Sequence, residues 1–376
     1  MDICSRQVYT PGAVSRWSVT APCGRLDYGL RPILGILRKG KMGTGDAGAV
    51  VLPLDAVDAT LGRVGGKGAA LALLARAGIP VPPGFHITTR AYDRFASSNN
   101  LHPASVAALD GVAKDDRAPL ERAATRIREL FEHGAIPDDV EQAIRDAYVG
   151  MGGIAVAVRS AATAEDLPGM SSAGQQESYL NIAGEGAMLA AVARCWGSLW
   201  TARAIGYRAR YRVTHDEVAL AVVIQALVPA DASGVLFTAN PVTGARDEIV
   251  VNAAWGLGEA IVGGLVTPDS ITIAKRSGAI VARSIADKAV QTIRTPDGTR
   301  TAPLVDERRR APVLDFETIA ELTRLGVRIE DLFGYPVDVE WALHENRLFV
   351  VQARPITALR DPAQSPHAER ARPQEA

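Results

Sequence analysis

A change of period near residue 218 limits what this chain can fold into. Before it, apolar residues recur at helical spacing, as Leu71, Leu74 and Ala75 do in "GGKGAALALLARAGIPVPPGF", with Gly78 and Pro80 to end the helix. After it come short runs that read as strands: "ALAVVIQALV", "SGVLFT", "DEIVVN", "SITIA" and "AIVA". Asn240-Pro241, Gly244 and Gly278 mark the turns between them. A helix-rich part followed by a strand-rich part is an α+β plan with two lobes. The expected bounds are 49–218 for the first lobe and 219–358 for the second. Residues 1–48 and 359–376 read as disordered ends, with Met42 as an alternative start.

Within the first part, "AVVLPLDAV" and "GFHITT" read as strands and residues 90–148 as helices broken by "SSNNLHP" and "IPDD". Gly186 to about Arg212 reads as one long amphipathic helix with Met188, Cys195, Trp196 and Trp200 on its apolar stripe. A chain of 376 residues exceeds the ~250–300 that a single core commonly reaches. The formal net charge of −1 gives no general attraction to nucleic acid or to an anionic membrane, so any basic site is local. The longest apolar run falls well short of the ~18 residues of a membrane span, and the start lacks the pattern of a secretory leader. Cys4, Cys23 and Cys195 match no disulfide or metal spacing. A cytoplasmic, reduced setting is expected.

Four places carry candidate chemistry. In "GRVGGKGAA", glycines beside a helix allow backbone N–H groups to approach an anion, and Lys67 adds a point charge. It is no Walker A motif, because Leu61 and Gly68 stand where a glycine and a hydroxyl belong; a plain flexible turn is the alternative. Arg159 closes the strand "IAVAVR" and opens a long loop rich in hydroxyls, where a planar guanidinium suits phosphate. Its structural alternative is an ion pair with Glu165 or Asp166. Gln225, at the end of a strongly apolar strand, either reads a base edge or bonds a neighbouring strand. "NAAWGLGEAIVGG" is either a close-approach glycine loop or a tight connection onto a helix.

The fourth place is the hairpin "YPVDVEWALHENRLFVVQARPI". With His344–Asn346 as its loop, Leu343 pairs with Arg347, and alternation puts Glu340, Gln352 and Arg354 on one face. A two-residue loop would separate Glu340 from Gln352. A carboxylate, an amide oxygen and an arginine suit a Mg²⁺–polyphosphate complex; a Glu340–Arg354 ion pair is the plainer reading. The histidines, His86 and His344 among them, read as structural, and no phosphoacceptor stands out.

The stretches "GGKGAALALLARAGIPVPPGFHITTRAY", "VRSAATAEDLPGMSSAGQQESYLNI", "SGVLFTANPVTG", "NAAWGLGEAIVGGLVTPD" and "DVEWALHENRLFVVQARPIT" occur in this order. Together, over about residues 50–358, they resemble the ATP-binding domain of phosphoenolpyruvate synthase and pyruvate phosphate dikinase, which rifampicin phosphotransferases share. The resemblance implies an ATP-grasp-like fold with ATP and Mg²⁺ between two lobes. By motif position it implies Lys67 and Arg159 as a phosphate-binding pair, and Gly174 and Ser178 as loop contacts to nucleotide. It places Gln225 near adenine, Glu340 and Gln352 as Mg²⁺ ligands, and Arg354 as a closing phosphate contact. It further implies transfer of the ATP β-phosphate to a histidine on a swivelling domain, and onward to pyruvate or another small acceptor. Here Ala161 stands where a serine is common, and the carrier and acceptor domains are expected to lie outside the stretch that ends with "VQARPIT". The expectation is therefore a phosphotransferase half-enzyme served by a separate carrier, with a non-catalytic nucleotide-binding module or a fragment of a longer synthase as the alternatives.

Overall fold

The computed structural model describes residues 48–112, 116–163, 178–211, 218–296, 298–356 and 359. The chain divides into the units Met1–Lys41 and Met42–Ala376, and every described residue lies in the second. Two antiparallel sheets organise that unit, and it is α+β, as the change of period implies.

The first sheet holds β1 (Val51–Pro53), β2 (Gly84–Ile87), β3 (Val156–Ala162), β4 (Ser178–Ile182) and β5 (Leu220–Ala226), in the order β1-β2-β5-β3-β4. β5 lies beyond residue 218 yet sits between β2 and β3, so the chain enters the second sheet only later. Its run Leu220–Ile224 is wholly buried, which suits a central strand with both faces covered. The helices packed on this sheet are α1 (Leu61–Arg76), α2 (Thr89–Ser98), α3 (Leu101–Leu109), α4 (Arg117–His133) and α5 (Asp138–Gly150), then α6 (Glu185–Gly197) and α7 (Ala202–Tyr211). Phe95, Phe131, Trp196 and Trp200 cluster among them, with Phe95 and Trp196 centroids 4.7 Å apart.

The single long helix expected from residue 186 is instead two. A 3₁₀ turn at Ser198–Trp200 and an extended Thr201 separate α6 from α7. Side-chain oxygens cause the break: Ser198 Oγ donates to Cys195 O at 2.6 Å, and Thr201 Oγ accepts from Ala204 N at 3.2 Å, starting the helix anew. The tryptophans remain buried as the apolar stripe required.

The second sheet runs β13-β12-β6-β7-β8-β9. Its strands are β6 (Ala232–Phe237), β7 (Glu248–Trp255), β8 (Asp269–Ala274), β9 (Ile280–Ser284), β12 (Val337–His344) and β13 (Arg347–Pro355). Three pieces lie outside it: the two-stranded β10 (Val290–Thr295) with β11 (Gly298–Pro303), and the short helices α8 (Glu259–Val262) and α9 (Asp306–Arg310). The helix α10 (Phe316–Phe333) starts at Asp315, which accepts from Thr318 N at 2.8 Å, and stops at Gly334 with φ 76°. Gly326 lets it close on the sheet, because a Cβ there would meet Leu236 Cδ2 at 2.8 Å.

A buried pair fastens the far side of this sheet. Lys288 Nζ donates to Asp269 Oδ1 at 2.5 Å, and both side chains are essentially unexposed. Asp269 also accepts from Ala286 N and Val313 N, so its charge is matched by a full set of donors. One apolar core then runs from sheet to sheet. Leu71 and Leu74 of α1, Val223 of β5, Leu236 of β6 and Trp341 with Val350 of the terminal hairpin share it.

His86 in β2 is fully buried, with Nε2–H donating to Leu54 O at 3.0 Å and Nδ1 unpaired among the described residues. Burial pushes its imidazole down to about 4. The folded protein therefore holds it neutral where an unfolded chain takes a proton, and stability falls as pH drops from ~6.5 to about 4, by roughly 3 kcal/mol at most. Above ~6.5 the residue contributes no slope. Urea unfolding at pH 7 and pH 4.5 should show a smaller acid loss in His86→Gln than in the unaltered protein.

Candidate functional site

Arg159 stands at the meeting of the two sheets. β3 delivers it, flanked by Val223 of β5 and Ser178 of β4, and it is 8% exposed. Its guanidinium crosses to the terminal hairpin. Nη1 donates to Val351 O at 2.6 Å, while Nη2 donates to Glu340 Oε2 at 2.8 Å and Gln352 Oε1 at 2.7 Å. A planar fork with charge spread over its nitrogens is the side chain able to serve three acceptors at once.

The hairpin reaches this geometry by another route than its expected three-residue loop. The loop is Glu345–Asn346, both left-handed at φ 48° and 59°, and His344 pairs with Arg347. That register alone would part Glu340 from Gln352. A β-bulge at Val351 restores it, so that Trp341 pairs with Val350 while Glu340 pairs with Gln352 and Asp338 with Arg354. Directly paired residues share a face, so the expected grouping stands with Asp338 added. Arg354 is bonded to Asp338 rather than to Glu340, through Nε and Nη2, both at 2.9 Å. Burial holds the Asp338 carboxyl above the usual carboxylate range, although Arg354 opposes this.

Lys67 approaches the same region from α1. The helix begins before the glycines and kinks at Gly65, whose φ is 67°. A Cβ at Gly65 would lie 2.2 Å from Ala161 O, so only glycine allows this approach to β3. Lys67 Nζ consequently reaches Ser160 O at 3.1 Å, the residue beside Arg159. Ala161 is wholly buried under that contact.

Two cavities flank the Arg159–Gln352 contact. One, of about 340 Å³, opens between the sheets and is lined by Ser178, Gln225, Gly234, Glu259 and Glu340 as well as Arg159. The other, of about 260 Å³, is lined by Lys67, Gln352 and Arg354 with Leu73, Phe333 and Tyr335. Of the residues singled out in sequence, Arg159, Glu340 and Gln352 are joined directly, Lys67 and Arg354 lie on one side, and Ser178 and Gln225 on the other. Gln225 Nε2 donates to Pro82 O at a long 3.5 Å. Gly174, Glu165 and Asp166 lie outside the described residues.

Some contributors were not evident from sequence. Val351 offers only its carbonyl, which no side-chain pattern reveals. Asp338 was within reach, being two residues before Glu340 on the same strand. "NAAWGLGEAIVGG" proves both of its alternatives: it is a tight entry to α8, and a Cβ at Gly256 would meet Thr292 O at 2.3 Å. Its Glu259 lines the larger cavity and makes no side-chain hydrogen bond among the described residues.

A cleft of small-molecule size in an α+β domain is floored by a buried guanidinium with a carboxylate and an amide oxygen beside it, a donor set whose chemistry suits a phosphorylated ligand. The family model of the pyruvate phosphate dikinase AMP/ATP-binding domain matches residues 61–375, and the chain belongs to that family. It is 45% identical to a rifampicin phosphotransferase of Streptomyces sp over 318 residues, 83% of this chain and 36% of that protein. It is 40% identical over 353 residues to the phosphoenolpyruvate synthase of Pyrococcus furiosus, which covers 81% of this chain and 43% of the synthase. A probable phosphoenolpyruvate synthase of Methanothermobacter thermautotrophicus is 40% identical over 305 residues, 80% of this chain and 44% of that protein. The chain thus spans less than half the length of these relatives. No helix among the described residues is long and apolar enough to cross a membrane.

Removing the guanidinium should leave Glu340 Oε2, Gln352 Oε1 and Val351 O without their shared donor. Arg159→Met is expected to cost about 3 kcal/mol in urea unfolding without nucleotide, and Arg159→Lys about half as much, since one ammonium cannot span three acceptors.

Proposed function

We propose that this chain is a Mg-ATP-dependent phosphotransferase half-enzyme of the phosphoenolpyruvate synthase type, ATP-grasp-like, with one lobe built on each sheet and their boundary after β5 rather than at residue 218. The observation that carries this reading is the Arg159 contact. It gathers a cation, a carboxylate and an amide oxygen at the inner end of a nucleotide-sized cleft, and Lys67 and Arg354 line the cavity beyond. In this reading adenosine occupies the larger cavity near Gln225, and the phosphates run past Ser178 toward Lys67, Arg159 and Arg354.

Glu340 and Gln352 fit Mg²⁺. They present hard oxygen donors from directly paired positions, and both reach a single nitrogen of Arg159. Bound there, Mg²⁺ supplies neutralisation of phosphate charge. Arg159 exchanges its carboxylate and amide partners for phosphate oxygens, and Lys67 and Arg354 hold the chain of phosphates in line. A histidine nitrogen on a separate swivelling carrier attacks the β-phosphorus. The bond from that phosphorus to the oxygen bridging the α-phosphate breaks, and AMP leaves. Water then removes the outer phosphate from the carrier, and the phosphohistidine passes its phosphoryl group to a small acceptor such as pyruvate. The kinship with phosphoenolpyruvate synthases and rifampicin phosphotransferases supports a phosphotransferase, and a cytoplasmic setting accords with that class of enzyme.

The test is transfer of label from β-labelled ATP to candidate carriers of the same cell. Label is expected on one carrier histidine, with AMP formed in step. Lys67→Ala and Glu340→Gln should each slow transfer by about a hundredfold or more. ATP binding with every carrier unlabelled would replace this reading with a nucleotide-binding module that transfers nothing.

A further inference from the structure

The larger cavity has one wall from each sheet, and a single side chain ties those walls together. Ser178 and Leu180 of β4 line one side, Leu257–Glu259 the other. Asn181, next along β4, sits at φ 58° and is 8% exposed. The pairing of β3 with β4 shifts register there, a bulge that turns this residue out of the ladder. Its Nδ2 donates to Thr295 O and to Gly298 O, both at 2.6 Å, and its Oδ1 accepts from Arg294 Nε at 3.0 Å. Those partners form the tip of the β10–β11 hairpin. The body of that hairpin meets the opposite wall, where Leu257 N donates to Thr292 O at 2.9 Å. Gly256 presses on the same carbonyl, with no room for a Cβ. A continuous path of short contacts therefore leads from Ser178 through Asn181 and the hairpin to Glu259.

The Leu257–Glu259 end of the path meets the cavity away from its phosphate end. Gly258 lies beside Ser233, where an added Cβ would be 3.7 Å from Ser233 Oγ. Val235, two residues further along β6, pairs with Glu340. Two strand residues are ~7 Å, so the lip carrying Glu259 stands about a sugar's length from the Glu340–Arg159 contact. We infer that Asn181 is a positioning residue for the nucleoside part of the ligand. Through the β10–β11 hairpin it fixes the Leu257–Glu259 lip over the sugar and base, and it leaves the phosphate contacts to other groups. This rests on the nucleotide reading of the cleft.

The measurement is calorimetric binding of Mg·ATP and of Mg·tripolyphosphate, which shares the phosphates and lacks the nucleoside, to the full chain. Asn181→Gly keeps the left-handed backbone and removes the amide. It should weaken ATP by about tenfold or more while tripolyphosphate stays within about twofold. Arg294→Met, on the exposed hairpin, removes one of the three contacts without touching β4 and should weaken ATP by about threefold in the same selective way. Unchanged ATP affinity in both variants would overturn the inference, since the amide would then serve folding alone. Equal loss of both ligands would overturn it too, by showing general loosening. If the unaltered chain binds tripolyphosphate and ATP equally, the inference falls while an anion site survives; if it binds neither, the nucleotide reading itself has failed.

Discussion

One guanidinium makes the two sheets a single site. Arg159 is bonded through Nη1 and Nη2 to two side chains and a backbone carbonyl of the opposite sheet. Each of those acceptors, lying between the sheets, would bear a desolvation penalty without a donor. The apolar core that runs from Leu71 to Trp341 brings the sheets together, but it is indifferent to sliding by a fraction of a residue. Three directed hydrogen bonds to one planar group are not. Packing supplies the contact between the sheets, and Arg159 supplies its alignment.

The arrangement of the rest follows from where the chain places its exceptions to regular structure. Gly65 interrupts α1 so that Lys67 comes up beside Ser160. A bulge in β13 brings Gln352 opposite Glu340, and another in β4 turns Asn181 toward the β10–β11 hairpin. Each exception costs local stability, since it forgoes a ladder bond or adopts a left-handed backbone. Each is held by long-range contacts made in return, as the fully bonded Asp269 and Lys288 hold the far side of the second sheet.

Much of this was legible in the sequence, and the boundary of legibility is physical. Period gave the α+β class and most elements, because burial of one face enforces alternation in strands and helical spacing in helices. Lys67, Arg159, Glu340, Gln352 and Arg354 stood out because polar groups at strand ends or beside glycines need a partner or a ligand. Their partners did not stand out. Arg159 and Glu340 are 181 residues apart, and no local pattern says which acid meets which base. Arg354 accordingly chose Asp338, which looked like an ordinary strand residue. The break at Thr201 was missed because helical apolar spacing continues through it; only the hydroxyls of Ser198 and Thr201 betray the restart. Asn181 carried no signal at all, since an asparagine within a strand reads simply as a poor strand former.

The bulge at Val351 has a consequence for how this hairpin can change. Its two-residue loop would on its own set Gln352 and Arg354 one step out of phase with Glu340 and Asp338, and one surplus residue corrects the phase. Chain length between positions 341 and 351 is therefore as much a part of the site as the side chains are. Adding one residue to the return strand before Val351, with loop and bulge kept and every polar group named above left in place, would turn Gln352 and Arg354 to the opposite side of the sheet. Substitution can be gradual here, whereas a change of length must be matched by a change in the loop or in the bulge.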